Sequence, residues 1–342
     1  MKIVAALSGG VDSSVAAALA LRDGAEVVGV TLALKHPDPA FSAAQKCAGE
    51  RDAEAAAAVC RKLAVPHVVL DRFPLFRDRV LRPSAETYLA GRTPNPCCFC
   101  NALVKFAALL DYAREIGAEK VVTGHYARIA GGRLRRGVDH DKDQTYFLYR
   151  LTPEMLERIA FPVGEMRKEE VRACAASLEL PTAERPDSQD ACFMAEGECF
   201  GETLRRLFEL PARPGRFLFR GKVVGRHPGI HRYTLGQRKG LNVALGMRGY
   251  VAAIRRDGDI ELETDERRLF SRGFTLAQVC GDIPERSMVR IRYRSQPVPA
   301  AYRDGTVLTD APQRAVTPGQ SAVFYDGDAV CGGGVIDELL EN

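Results

Sequence analysis

Apolar and polar positions fall into alternating blocks along the first half of the chain. An apolar run at 2–7 reads as a buried strand, followed by a glycine-rich turn and a helix over 12–22. Strand-like runs recur at 26–34, 67–70 and 120–123, and helical spacing recurs at 52–63 and 101–116. This βαβα rhythm predicts an α/β fold, a doubly wound parallel sheet with helices on both faces. Ligands of such folds sit beyond the C-terminal ends of the strands. From about residue 201 the pattern changes. Glycine and proline become frequent, and short β-like runs appear at 216–219, 222–225, 250–254 and 259–263, then at 289–293, 306–309 and 321–325. The expected organisation is an α/β domain over 1–200, a β-rich domain over 201–270 and a C-terminal β-barrel over 271–342. No internal repeat or low-complexity tract interrupts it.

Composition narrows the class. The chain has 342 residues, 46% hydrophobic and 27% charged, which excludes disordered, collagen-like and coiled-coil proteins. The longest apolar run near the N-terminus, 15–21, is far short of the roughly 20 residues of a membrane span. The apolar stretch after Lys2 is too short for a secretory signal. A cytoplasmic protein with no membrane partner is expected. Its ten cysteines are then read as thiols, ligands or catalysts. The net charge of +4 conceals an asymmetry. Residues 203–256 hold 13 Lys/Arg and one acid, a net +12 that leaves −8 for the rest. Such a segment suits a polyanionic partner.

Three strings carry candidate chemistry. Ser8-Gly9-Gly10-Val11-Asp12-Ser13-Ser14 lies between a strand and a helix, where small residues let backbone amides approach an anion. It lacks the lysine of the usual NTPase loop. It resembles the pyrophosphate-binding loop of the ATP pyrophosphatase (PP-loop) group. Asp12 assists metal or phosphate geometry, or is simply a carboxylate in a first helical turn. The second string, Thr93-Pro94-Asn95-Pro96-Cys97-Cys98-Phe99-Cys100-Asn101, precedes the helix over 101–116 and puts Cys100 near its N-terminus, where a thiol is acidified. The third, Asp187-Ser188-Gln189-Asp190-Ala191-Cys192-Phe193, holds a second thiol in a polar setting. A phosphate loop with two such thiols suggests attack of sulfur on an activated substrate. Cys47, Cys60, Cys174, Cys280 and Cys331 are expected to be inert.

Taken with Thr123-Gly124-His125-Tyr126-Ala127-Arg128, Lys142-Asp143-Gln144-Thr145-Tyr146-Phe147-Leu148, Tyr233-Thr234-Leu235-Gly236-Gln237-Arg238-Lys239-Gly240-Leu241 and Gly319-Gln320-Ser321-Ala322-Val323, these strings resemble the tRNA-specific 2-thiouridylase family along nearly the whole chain. The resemblance implies a tRNA-uridine 2-sulfurtransferase. Such an enzyme uses ATP and Mg²⁺ to adenylate C2 of the wobble uridine, then delivers sulfur from a persulfide. By position, Cys192 matches the persulfide cysteine, and Cys100 its partner thiol, able to form a disulfide with it. Ala6, Leu7, Ser8, Gly9, Gly10, Val11, Asp12, Ser13, Leu32 and Gly124 match nucleotide contacts. His125, Lys142, Asp143, Gln144 and Gln320 match tRNA contacts, and Asn95, Pro96 and Cys97 face the target base. Arg238 and Lys239 join the tRNA set through the basic segment, which would grip phosphates. His231 and Tyr233 are read as base-stacking or as core residues. The sulfur donor is a persulfide relay protein, a cysteine desulfurase or free sulfide.

One departure matters. Many members of the family carry Asp where this chain has Cys97, which creates Cys97-x-x-Cys100. With Cys192, three thiols resemble the ligand set of a [4Fe–4S] cluster with one open iron. The other reading keeps Cys97 as a resolving thiol in persulfide chemistry, and zinc is a weaker third. Two other functions compete: another PP-loop ligase or synthetase, which gives no reason for the two thiols, and a non-catalytic tRNA-binding or sulfur-carrier protein, which needs no ATP loop.

Overall fold

The computed structural model describes residues 1–36, 50–187 and 198–340. The chain packs as two compact units. The first comprises Met1–Arg79, Cys97–Glu196 and Asp328–Val330; the second comprises Val80–Pro96, Gly197–Gly327 and Cys331–Asn342.

Among the described residues of the first unit, five strands form one parallel sheet. They are β1 (Lys2–Ala6), β2 (Glu26–Ala33), β3 (His67–Asp71), β4 (Lys120–Val122) and β7 (Ile159–Ala160), in the order β3-β2-β1-β4-β7. The hairpin β5 (Ala127–Ala130) and β6 (Arg133–Arg136) intervenes in sequence. The chain runs outward from β1 to β3 and then returns to the other side of β1. The strand order therefore reverses between β1 and β4, and a crevice opens at their C-terminal ends. Both faces of the sheet are covered. Val11, Val15 and Leu19 of the helix Val11–Arg22 pack on one side with Ile3, Ala5 and Val122. Phe106, Leu109 and Ala113 pack on the other with Val4, Val30 and Val121. The expected doubly wound α/β sheet is the observed one.

The helix expected over 101–116 begins earlier, with Pro96–Cys100, and continues through a π-helical turn, Asn101–Phe106, into Ala107–Glu115. A proline at the first helical position has its φ preset and no amide to leave unbonded, so Pro96 starts the helix and Asn101 does not. The consequence is chemical: Cys97 occupies the first turn, and Cys100 lies a turn inside the helix. The run Pro96–Glu115 has the length and hydropathy of a membrane span, yet 61% of its 18-residue apolar stretch is buried in the fold, as befits a core helix.

In the second unit, β8 (Gly215–Phe219), β9 (Lys222–His227), β10 (Tyr250–Ile254) and β11 (Ile260–Glu263) make a sheet in the order β10-β11-β8-β9. The two-residue turn Arg220-Gly221 joins β8 to β9 with positive φ at both positions, the turn that suits strand twist. A barrel follows, of β12 (Phe270–Gly281), β13 (Arg286–Arg290), β14 (Val298–Arg303), β15 (Thr306–Arg314), β16 (Ser321–Asp326) and β17 (Ala329–Leu339). Its order is β12-β15-β14-β13-β16-β17, and pairing of β12 with β17 closes it. Closure removes both sheet edges. Phe274, Val289, Val307, Phe324 and Ile336 fill the interior. Phe324→Ala should lower unfolding free energy by about 3–5 kcal/mol in chemical denaturation, because the fully buried ring leaves a cavity a closed barrel cannot collapse.

Candidate active site

The glycine-rich loop connects β1 to the helix Val11–Arg22 and lies at the reversal of strand order. Its own side chains shape it. Ser13 Oγ donates to the Gly10 carbonyl at 3.0 Å and accepts from the Ser8 amide at 3.2 Å. Ser14 Oγ donates to the same carbonyl at 2.8 Å and accepts from Thr182. Two glycines are obligatory. Gly9 has φ +77°, and a Cβ there would lie 2.6 Å from the Asp52 carbonyl oxygen. A Cβ on Gly124, just beyond β4, would lie 2.4 Å from the Ser13 nitrogen. Arg185 braces the loop from outside, donating to the Gly9 carbonyl at 2.6 Å and to Asp52 at 3.0 Å. Among the described residues the amides of Gly9 and Gly10 find no acceptor. Orphan amides at a helix N-terminus, with small residues around them, fit a phosphate.

A chain of charges runs from this loop. Asp12 Oδ1 accepts from the Tyr126 hydroxyl at 2.8 Å and from Lys168 Nζ at 2.7 Å. The same ammonium lies 2.9 Å from Asp187 Oδ1. Asp187 also takes Lys142 at 2.8 Å and Arg172 at 2.7 Å. Burial alone would raise the Asp187 carboxyl, but hydrogen bonds from Lys142 and Lys168 outweigh it and hold the group at about 2. The Asp187 bond in turn raises Lys142. Burial, then the neighbouring Asp12 carboxylate, push the Tyr126 phenol far above its ordinary range, so it remains a donor. Gln144 fixes Tyr126 by two backbone bonds, accepting from its amide at 2.9 Å and donating its own amide to its carbonyl at 3.0 Å.

The remaining expected residues of this unit fall into place around that chain. Leu32, near the end of β2, is half-buried. His125 shares a 2.7 Å hydrogen bond with Thr123 and lies between Phe106 and Phe161. Burial, then the Lys105 charge, lower its imidazole to about 3, so it is neutral at pH 7. Asp143 is buried; its carboxylate accepts from Thr145 at 2.8 Å and pairs with Arg136 at 3.3 Å, so it holds its own loop and offers no exposed surface. Cys100 is buried and Cys97 half-buried, one helical turn apart. The helix that carries them is pinned to the 142–148 string: Cys98 Sγ donates to the Tyr146 carbonyl at 3.4 Å and Asn101 to that of Phe147 at 3.1 Å. Cys192 and Cys47 lie outside the described residues. Among the described residues no group of three His, Cys, Asp or Glu could hold a metal. Cys60 is a core thiol, raised to about 11 chiefly by burial.

In the second unit, Gln320 Nε2 donates to the carbonyls of Thr93 and Pro94 at 3.1 and 3.0 Å, and the Thr93 amide donates to Pro318. Asn95 and Pro96 follow as buried residues. A cavity of about 420 Å³ is lined by Thr93, Thr234, Gln237, Arg292, Thr317 and Gln320. The basic segment is less free than its count suggests. Arg205 and Arg232 pair with Glu202, Arg206 with Glu198, Arg216 with Asp259 and Arg255 with Glu261. Lys222, Arg226, Arg238, Lys239 and Arg248 are exposed and make no ion pair among the described residues. His231 and Tyr233 are core residues: His231 bonds Glu202 at 2.7 Å, and Tyr233 packs on Phe217 and His227. Sequence reasoning overlooked Lys168, Arg172, Arg185, Tyr126 as a donor, and Arg292. None sits in a glycine- or cysteine-marked string except Tyr126, which follows Gly124-His125.

A parallel sheet with a phosphate-type loop at its switch point defines the nucleotide-binding α/β (HUP) class. The family model for a tRNA methyl transferase HUP domain matches residues 1–196. Those for a tRNA methyl transferase PRC-barrel domain and an aminomethyltransferase β-barrel domain match 208–260 and 276–336. The chain is 42% identical to the tRNA-specific 2-thiouridylase MnmA of Carboxydothermus hydrogenoformans, over 99% of this chain and 98% of that one. It is 41% identical to that of Caulobacter vibrioides, over 98% and 94%. Among solved structures, a 4-thiouridine synthetase–RNA complex with bound ATP is similar at 22% identity, over 61% of this chain and 50% of that one, with a TM-score of 0.37; at that level the likeness carries no functional weight. The chain belongs to the tRNA-specific 2-thiouridylase family.

The Asp187 cluster predicts acid sensitivity. A carboxyl at about 2 in the fold and 3.8 when unfolded adds stability that is complete above 3.8 and lost as pH falls towards 2. Asp187→Asn should flatten the acid limb of stability between about pH 4 and 2, followed by circular dichroism during acid titration.

Proposed function

We propose that the protein 2-thiolates the wobble uridine of tRNA at the expense of ATP, in the cytoplasm. The observation that carries this reading is the end-to-end likeness to tRNA-specific 2-thiouridylases in a chain whose phosphate loop is intact. ATP binds with Mg²⁺ at the loop, its phosphates on the Gly9 and Gly10 amides. The uridine C2 oxygen attacks the α-phosphate and pyrophosphate leaves. This step converts a poor leaving group, oxide, into AMP. The terminal sulfur of a persulfide on Cys192 then forms the C2–S bond as AMP departs with the former C2 oxygen. The Cys100 thiolate attacks Cys192 Sγ, breaks the S–S bond and forms a Cys100–Cys192 disulfide, which external thiols reduce. The uridine must leave the anticodon stack for C2 to be reached. The exposed cations Lys222, Arg226, Arg238 and Lys239 hold the RNA backbone.

Cys97-x-x-Cys100 favours a second reading of the sulfur step. The two thiols are one turn apart on the helix, and with Cys192 they would make three ligands of a [4Fe–4S] cluster. Such a cluster, when bound, offers one iron with an open position for sulfide. One experiment separates the readings: thiolation of unmodified tRNA by anaerobically purified protein, with iron and sulfide counted. Persulfide chemistry predicts full activity without iron. Cys192→Ala should abolish 2-thiouridine, read by nucleoside mass spectrometry, while tRNA binding persists; thiolation by that variant would sink both routes. Binding of tRNA should weaken steeply with salt, as phosphate contacts release counterions, and a flat salt titration would remove the cations from the interface.

A further inference from the structure

We infer that Lys168 is a positioning residue for nucleotide binding, and that it acts by neutralising Asp12. The inference deepens the functional reading above and rests on it only for the identity of the nucleotide. Asp12 lies in the first turn of the helix that follows the phosphate loop, one residue from Val11 and one from Ser13. A polyphosphate entering that loop meets the Asp12 carboxylate at close range, and like charges at such a place oppose binding. The helix N-terminus and the Tyr126 phenol offset part of that charge but add no full positive charge. Lys168 does. Its ammonium lies 2.7 Å from Asp12 and is mostly buried, with side-chain exposure of 10%, so solvent screens the pair weakly.

The ammonium is also fixed in place. Lys168 opens the helix Lys168–Ser177, and its backbone amide donates to Asp139 Oδ2 at 3.0 Å. Its second carboxylate, Asp187, is 2.9 Å away and already has Lys142 and Arg172. Asp187 therefore keeps two paired cations if Lys168 is removed, whereas Asp12 keeps no ion pair among the described residues, only the longer-range charge of Lys142. The tyrosine ring of Tyr126, 5.8 Å from Nζ, closes the remaining side. The asymmetry makes a specific demand: loss of Lys168 should be felt through Asp12, and removing the Asp12 charge should reverse it.

The test is a double-mutant cycle on ATP affinity, measured by equilibrium binding to the full chain with and without Mg²⁺. Lys168→Met should weaken ATP binding about tenfold or more, and Lys168→Arg, which keeps the charge, by much less. In steady state Lys168→Met should raise the KM for ATP more than it lowers kcat. Asp12→Asn added to Lys168→Met should restore most of the metal-free affinity. Thermal melting of each variant identifies any loss of folding, and the arginine variant then carries the comparison. Unchanged affinity in Lys168→Met overturns the inference. So does lost affinity that Asp12→Asn fails to restore, which would mean that the lysine contacts phosphate directly. ATP binding without tRNA thiolation would overturn the functional reading and leave this cycle readable.

Discussion

There is no room for a side chain between Gly124 and the first turn of the helix Val11–Arg22. A Cβ would lie 2.4 Å from the Ser13 nitrogen and 2.5 Å from the Asp12 carbonyl carbon. That contact locks the end of β4 onto the start of the helix that follows β1, so the strand-order reversal becomes a fixed crevice. The rest of the site depends on it. Tyr126, two residues past Gly124, is placed to reach Asp12. Gln144 clamps Tyr126, and the 142–148 string that contains Gln144 in turn anchors the helix bearing Cys97 and Cys100. The phosphate-type loop and the helix bearing Cys97 and Cys100 are thus connected through backbone packing and a few polar bonds, in one unit.

Charge in this molecule is organised by space and not by window. The segment 203–256 has a net +12, yet four acids just outside it, Glu198, Glu202, Asp259 and Glu261, neutralise arginines within it. Glu202 shows the strength of the arrangement: the Arg205 bond leads, burial opposes it, His231 and Arg232 contribute, and the carboxyl is held at about 2. Those arginines build the domain. Exposed cations without an ion pair among the described residues are a smaller set: Arg220 in the β8–β9 turn, Lys222 and Arg226 on β9, Arg238, Lys239 and Arg248 in the 233–249 loop region, and Arg256.

The sheet was legible because buried parallel strands are near-continuous apolar runs: the readings at 2–7, 26–34, 67–70 and 120–123 match β1 to β4 within two residues. The barrel was less so. β17 contains Gly332-Gly333-Gly334 and β14 contains Pro299, composition that reads as turn, and only cross-strand pairing overrides it. Gly332 and Gly281 are needed because their strands pass backbone to backbone where the barrel closes. In the site, motif strings pointed to the loop and to the helix that carries Cys97 and Cys100. They could not reveal Lys168, because a lysine at a helix start is ordinarily a solvated residue. Its partners Asp12 and Asp187 are 156 and 19 positions away, and only the fold brings them to one nitrogen.

Gln320 poses a sharper constraint. Its amide nitrogen satisfies two carbonyls of the Thr93–Pro94 turn, and a Cβ on the preceding Gly319, at φ +93°, would strike Thr93. Trading those bonds for a bond to RNA would leave two partly buried carbonyls unsatisfied, at a cost of about 1–3 kcal/mol each. Keeping them lets the side chain fix the turn that leads into Asn95 and Pro96. The same logic applies to the Asp143 carboxylate and the Gln144 side-chain oxygen, which are committed to Thr145 and Arg136 and to the Tyr126 amide. Lys142 differs: its carboxylate partner Asp187 has two further cations, so Lys142 can turn to a phosphate without stranding a buried charge. Physical cost therefore commits the Asp143 carboxylate and the Gln320 amide nitrogen to shaping their own turns, and leaves Lys142 able to exchange its partner.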